Sequence, residues 1–151
     1  MKIYRGIEDL QAGVGEELGP TDWFLMEQKR IDGFADDTED HQWIHVEPER
    51  AAGGPFGATV AHGFLTVSLV PYFLSQLRQI EGMRMGVNYG LNKVRFPAPV
   101  RAGTRIRARS TLAECELIGE NAVQIITRTT IEIEGGDKPA CVAELVARYY
   151  F

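Results

Sequence analysis

The sequence holds little cysteine, no long uninterrupted apolar run and no excess of positive charge, and each shortage narrows what the chain can be. Cys115 and Cys141 are its only cysteines. Two distant thiols make neither a disulfide framework nor a metal-ligand cluster, and both fall in predicted strands, where a small buried thiol is the plain reading. The most apolar stretch, residues 64–77, is too short to span a bilayer and is interrupted by Pro71, Ser75 and Gln76. Met1-Lys2-Ile3-Tyr4-Arg5-Gly6 lacks the apolar core of a signal peptide, so the expected compartment is the cytoplasm, with no membrane partner. Sixteen Lys and Arg against 21 Asp and Glu give a net charge of -5. That balance argues against a broad electrostatic grip on nucleic acid or anionic membrane, although a local basic patch could still hold a phosphorylated ligand.

What is present suits one globular domain over residues 1–151, with 44% hydrophobic and 25% charged residues. A chain of this length buries roughly two thirds of its unfolded surface. Residues 7–20 read as an irregular lead-in with several glycines, and residues 23–26 as a short strand. Over residues 27–37, Ile31, Phe34 and Ala35 share one helical face while Lys29, Arg30 and Asp36 can face water. The acidic cluster at 37–40 then ends that helix in a loop. Pro48 begins a short helical turn through Ala52, and residues 53–57 make a glycine-rich connection. Residues 63–77 are apolar on nearly every side, which predicts a helix enclosed by other structure and bent or divided at Pro71; two buried strands fit the length less well.

The second half changes period. Arg105, Arg107 and Arg109 alternate with Ile106, Ala108 and Ser110, and Val123, Ile125, Ile131 and Ile133 share one parity. Residues 141–151 mix β-branched and aromatic side chains at strand spacing. The arginines either solvate an outer face or meet a ligand phosphate. Several strands after one apolar helix predict an α+β domain with a curled antiparallel sheet, without internal repeat.

Chemistry concentrates in Asp40-His41-Gln42-Trp43-Ile44-His45, followed after sixteen residues by His62-Gly63. A histidine exchanges protons near neutral pH while an aspartate stays a carboxylate, so Asp40 and His45 converging on one water could activate it and manage its protons. An isolated pair at this spacing is more often a surface or structural hydrogen bond; the adjoining helix start, glycine-rich connection and apolar segment favour the site. Gly63, at a helix start, could offer its N–H to a substrate carbonyl that gathers negative charge, or could merely allow tight packing. His62 either takes part in catalysis or orients the turn; the base is assigned to His45.

These residues, together with Ala61-His62-Gly63-Phe64, the run Tyr89-Gly90-Leu91-Asn92-Lys93-Val94-Arg95-Phe96-Pro97-Ala98-Pro99-Val100 and Gly103, resemble the MaoC-like dehydratase family, in particular its (R)-specific enoyl-CoA hydratases. The resemblance implies a hot-dog fold, a curved antiparallel β-sheet wrapped around a central helix, usually paired as a homodimer. It places the catalytic aspartate at Asp40, the catalytic histidine at His45 and the oxyanion-binding glycine at Gly63. The implied activity is that of a lyase of fatty acid metabolism, reversibly hydrating a trans-2-enoyl-CoA to the (R)-3-hydroxyacyl-CoA, with CoA as the substrate's handle. No metal, flavin or nicotinamide cofactor is required. The chain departs from the family pattern with Glu39 where glycine precedes the aspartate, Gln42 in place of Asn and Trp43 in place of Pro. Those changes bear on loop shape and acyl selectivity. Trp43, Asn88, Tyr89, Asn92, Lys93 and Arg95 are the expected substrate-binding residues, each with a structural reading beside it. An acyl-CoA thioesterase and a non-catalytic acyl-thioester binding domain are the competing functions.

Overall fold

The strongest sequence signal, the period-two second half, becomes three long neighbouring strands in a computed structural model that describes residues 1–151. They are β6 (Arg105–Gly119), β7 (Ala122–Ile133) and β8 (Cys141–Tyr150), each antiparallel to the next. The one-sided parity is what lets them work. Ile106, Ala108, Leu112, Val123, Ile125, Ile131, Ala143 and Ala147 are all buried, each successive one on the inner face of a pleated strand.

The sheet is completed by β5 (Met85–Arg95), which pairs with β8, and by two short strands on β6, β2 (Glu17–Leu18) and β3 (Phe24–Leu25). Its order is β2-β6-β7-β8-β5, with β5 at one edge. Register shifts leave Tyr89 and Asn92 as extra residues on β5, and Ala113 and Ile118 as extra residues on β6. Bulges of this kind bend a strand and increase its twist, so the sheet can curl around what lies on its inner face. A separate parallel pair joins β1 (Lys2–Arg5) to β4 (Arg78–Glu81).

On the concave side lie two consecutive helices, α5 (Gly63–Ser68) and α6 (Val70–Leu77). They are the expected apolar helix, divided as Pro71 requires. Pro71 sits in the first turn of α6, where no intrahelical N–H is needed. Leu65, Leu69, Val70, Phe73 and Leu74 pack against Ile106, Ala108, Ile131, Ala143 and Leu145 in one core cluster. A fully buried Phe73 contributes about 1.5–3 kcal/mol by its removal from water. A second cluster, around Tyr4, Leu10, Leu112, Val123 and Ile125, closes the other end. The architecture is the α+β hot-dog arrangement, a curved sheet around a central helix.

Two expectations need correction. The helix is not enclosed on every side: Phe64 is 74% exposed and Tyr72 47%, with Ser68 and Pro71 also open. Near-uniform apolarity here reflects one face in the core and another left uncovered. Nor is the lead-in irregular throughout. Residues 7–20 contain α1 (Ile7–Ala12), pinned by the fully buried Leu10, and β2. Elsewhere the helices fall as expected, with α2 at Gln28–Thr38, burying Ile31 and Ala35, and α4 at Pro48–Ala52. Between them stands α3 (Trp43–Val46), a single turn not foreseen from the sequence. The alternating arginines meet carboxylates rather than water alone: Arg107 and Arg109 both bond Glu132, and Arg105 pairs with Glu134. Cys115 and Cys141 are free thiols in β6 and β8, and burial raises both, Cys141 to about 11.

Candidate active site

The site is assembled where α2 ends, α3 turns and α5 begins. Glu39 closes α2 in the left-handed region, with φ 60, and swings the chain into Asp40. A residue with a Cβ resists that conformation. This gives physical meaning to the glycine that the family pattern carries there, because Glu39 performs the same turn at a steric cost. Asp40 follows outside any helix or strand with its side chain half exposed.

His45, on α3, is 7% exposed. Its Nδ1 lies 2.6 Å from the carbonyl oxygen of Val60. A carbonyl only accepts, so Nδ1 carries the proton and Nε2 keeps the lone pair of a base. Burial, ahead of the other influences, holds the His45 pKa below its ordinary 6.5, with the nearby His62 lowering it further and the Val60 hydrogen bond and Asp40 opposing the shift. The ring is therefore kept neutral, ready to accept.

Backbone and amide contacts fix this ring from both sides. Val60 N–H donates to Ile44 O at 2.9 Å, and Gln28 Nε2 donates to His45 O at 2.8 Å. The hydroxyl of Thr59 donates to Gln28 Oε1. Ala61 N–H reaches Val100 O and Ala102 N–H reaches Thr59 O, which ties residues 59–61 to the segment before β6.

His62 is the residue whose part the sequence left open. It is 2% exposed, lies face to face with His45 at 3.7 Å between ring centroids, and touches Phe34 on its other side at 4.9 Å. Its Nε2 donates to the backbone oxygen of Asp40 at 2.9 Å and lies 3.9 Å from that residue's carboxylate. His62 thus holds the Asp40 loop against the His45 ring, which is the orienting role. Its position immediately before Gly63 was the only sequence signal for it. Its Nδ1 is buried without a partner.

One oxygen of Asp40 and one nitrogen from each of His45 and His62 all lie within 4.8 Å of one another. Three such side chains could suggest a metal, but the two rings are stacked at only 26°. The in-plane lone pairs of rings so nearly parallel do not meet on one ion at a bonding distance of about 2 Å. The spacing suits a water instead, since two groups each about 2.8 Å from a shared water fit a gap of this size.

Gly63 opens α5, following His62, whose carbonyl accepts the first helical bond from Thr66 at 3.1 Å. A Cβ at Gly63 would stand 2.8 Å from the Phe96 ring. Only glycine allows that approach, and the N–H of a first helical residue has no partner within the helix. The packing at Gly63 is tight, and its N–H has no partner within the helix.

Of the six expected substrate-binding residues, one is on α3 with His45 and five are on β5. Trp43 starts α3, with the Arg50 guanidinium 4.6 Å from its ring and Gly54 against its edge. Asn88 and Tyr89 line a groove beside Val67 and Pro71. Asn92 donates to Glu144 at 2.9 Å, and Arg95 turns its Nη1 to Val94 O at 2.7 Å. Lys93 is exposed, and Tyr89 stacks with Arg148. His41, the remaining histidine, points away to Asp36 at 2.8 Å.

Comparison with known proteins gives the family and the fold. Residues 9–134 match the MaoC like domain family model. The chain is 52% identical over 149 residues to 3-hydroxyacyl-thioester dehydratase Z of Mycobacterium tuberculosis, covering 99% of each chain. It is 44% identical over 147 residues to nodulation protein N of Rhizobium leguminosarum bv. viciae, covering 96% of this chain and 91% of the relative. Among solved structures, the monoamine oxidase regulatory protein of Archaeoglobus fulgius superposes with TM-score 0.79 at 21% identity, covering 99% and 98%, a likeness of fold. By the family model over most of its length and by its identity with these relatives, the chain belongs to the MaoC-like dehydratase family.

Proposed function

We propose that this protein interconverts trans-2-enoyl-CoA and (R)-3-hydroxyacyl-CoA, with Asp40, His45 and Gly63 as its working groups. The coarser statement, that it is a hydratase/dehydratase of acyl thioesters, rests on its family and on its 52% identity with a 3-hydroxyacyl-thioester dehydratase. The observation that supports the finer one is the His45 ring, held at Nδ1 by the Val60 carbonyl so that Nε2 keeps its lone pair, with one ring nitrogen within 4.8 Å of an Asp40 oxygen.

In the hydration direction, a water between the two side chains gives a proton to His45 Nε2 as its oxygen attacks C3 of the alkene. Asp40 accepts the water's other hydrogen and aims it. The C2–C3 π electrons move towards the thioester carbonyl, whose oxygen receives the Gly63 N–H. The proton held by the pair then passes to C2. Dehydration runs the same steps backwards, and the sum is addition or loss of one water. Selective stabilisation of the enolate-like charge lowers the barrier, since the N–H bond strengthens as that charge develops.

The active unit is proposed to be a homodimer. β5 ends the sheet with one edge unpaired, and beside it Met85, 51% exposed, and Phe64 of α5, 74% exposed, leave apolar surface open. A second copy would cover these groups. Light scattering should give twice the 16.8 kDa chain mass, and a persistent monomer contradicts it. Activity is tested with crotonyl-CoA, following enoyl absorbance and free thiol together, with chiral analysis of the product. Alkene loss giving the (R)-alcohol without thiol release is expected. Thiol release with the alkene intact would make the protein a thioesterase.

A further inference from the structure

Arg78 is a buried cation without a counter-ion. It stands where α6 passes into β4 and is 6% exposed. Its Nη2 donates to Tyr149 Oη at 3.0 Å and to Thr127 Oγ1 at 3.3 Å, both neutral. Nε and Nη1 bond to nothing in the chain, and neither is sealed off. Arg105, Arg107, Arg109 and Arg128, all more exposed, each meet a glutamate. A guanidinium withdrawn from water without a carboxylate is unfavourable unless something completes it.

The group opens into a cavity of about 400 Å³ whose walls are mostly apolar, formed by Leu74, Ile80, Met83 and Leu145, with Asn88 beside them. A second cavity of about 330 Å³, lined by Val67, Ser68, Tyr89 and Leu91, shares Pro71, Asn88 and Leu145 with the first. The two form one groove between the uncovered side of α5–α6 and strand β5. It runs from Val67, one helical turn beyond Gly63, to Arg78, which is fifteen residues beyond Gly63 and roughly 22 Å from it at the helical rise.

We propose that this groove carries the acyl chain of the substrate and that Arg78 receives a carboxylate at the chain's far end, making the preferred substrates thioesters of ω-carboxylated acyl chains. This rests on the reading of Asp40, His45 and Gly63 as the reacting end. Apolar walls suit methylenes, and the unpartnered Nε–H and Nη1–H, on different sides of the guanidinium, leave it a charge-assisted hydrogen bond to give a carboxylate. A phosphate of the CoA handle would instead sit in a polar, watery setting, unlike these walls. The shape and the charge together select an aliphatic chain with an anionic tip.

The test compares trans-2-enoyl-CoAs over a series of chain lengths, each with a methyl, a carboxylate or a methyl-ester terminus. For the wild-type enzyme, at the length that reaches Arg78, KM for the carboxylate should fall at least tenfold below that for the methyl chain, and the ester should behave like the methyl chain. Arg78→Met should abolish the difference, and Arg78→Lys should retain part of it. Equal or poorer KM for the carboxylate at every length overturns the proposal, even if no variant folds, because the ester comparison needs only wild type. Calorimetry with free linear α,ω-dicarboxylic acids separates this claim from the catalytic one. Binding by wild type that Arg78→Met loses supports the Arg78 site even if crotonyl-CoA is not hydrated; absence of binding by wild type counts against it.

Discussion

The sheet interior of β6, β7 and β8 and the groove side of α5, α6 and β5 are built from similar residues to opposite ends. In the first, alternate side chains are buried over residues 106–112, 123–131 and 141–147, and β7 is paired along both edges, so pattern, pairing and core agree. In the second, β5 is bulged at Tyr89 and Asn92, exposes large apolar groups and leaves an edge open. The first region stores stability. The second gives up some of it and leaves a groove open between the helices and β5.

If that division is right, changes on the two sides separate in what they damage. His45→Ala and Asp40→Ala should each lower crotonyl-CoA hydration about a thousandfold, the scale of positioned acid–base catalysis. Their melting temperatures should stay near wild type, and a parallel collapse of the fold would merge the two regions. Leu112→Ala, at a 1% exposed core position, should cost about 2–5 kcal/mol in denaturant unfolding while folded molecules keep their turnover. Leu91→Ala on β5 should stay within about 0.5 kcal/mol in the same assay. Similar losses at Leu91 and Leu112 would break the contrast.

His62→Phe keeps an aromatic ring against His45 but removes the donor to Asp40 O. It should reduce kcat roughly tenfold, a loose-positioning effect smaller than loss of the base itself. An unchanged kcat would reduce His62 to packing. The smallest effect concerns pH. Because burial depresses the His45 pKa, the base stays neutral below 6.5, so hydration should fall on the acid side with a midpoint under that value. The sign for stability is the same: the unfolded ring takes up its proton first as pH falls, so His45's contribution is complete above 6.5 and is lost as pH drops through the folded pKa. A midpoint above 6.5 would assign the limb to another group.

Legibility in the sequence followed the same division. Strands β6 to β8 were readable because Val123, Ile125, Ile131 and Ile133 keep one parity across a half-buried surface. β5 was not readable as a strand, because Tyr89 and Asn92 are inserted against β8 and shift the parity, while exposure on both faces leaves no apolar alternation. The single turn of α3 is too short for a helical period. Asp40, His45 and Gly63 stood out by residue type and spacing. His62 acts through a backbone oxygen and a ring face, neither of which spacing encodes. Arg78, one basic residue after an apolar helix, reads as an ordinary helix-end cation until its missing partner is visible.

The central claim is that the Asp40–His45 pair sends a water oxygen to C3 of an alkene rather than to the thioester carbonyl. Hydration of crotonyl-CoA in ¹⁸O-labelled water, with the product analysed by mass spectrometry, tests it directly. The expected result is one labelled oxygen in the C3 hydroxyl of an intact (R)-thioester, with the label lost in His45→Ala. Label appearing in a released carboxylate, with the alkene untouched, would contradict it.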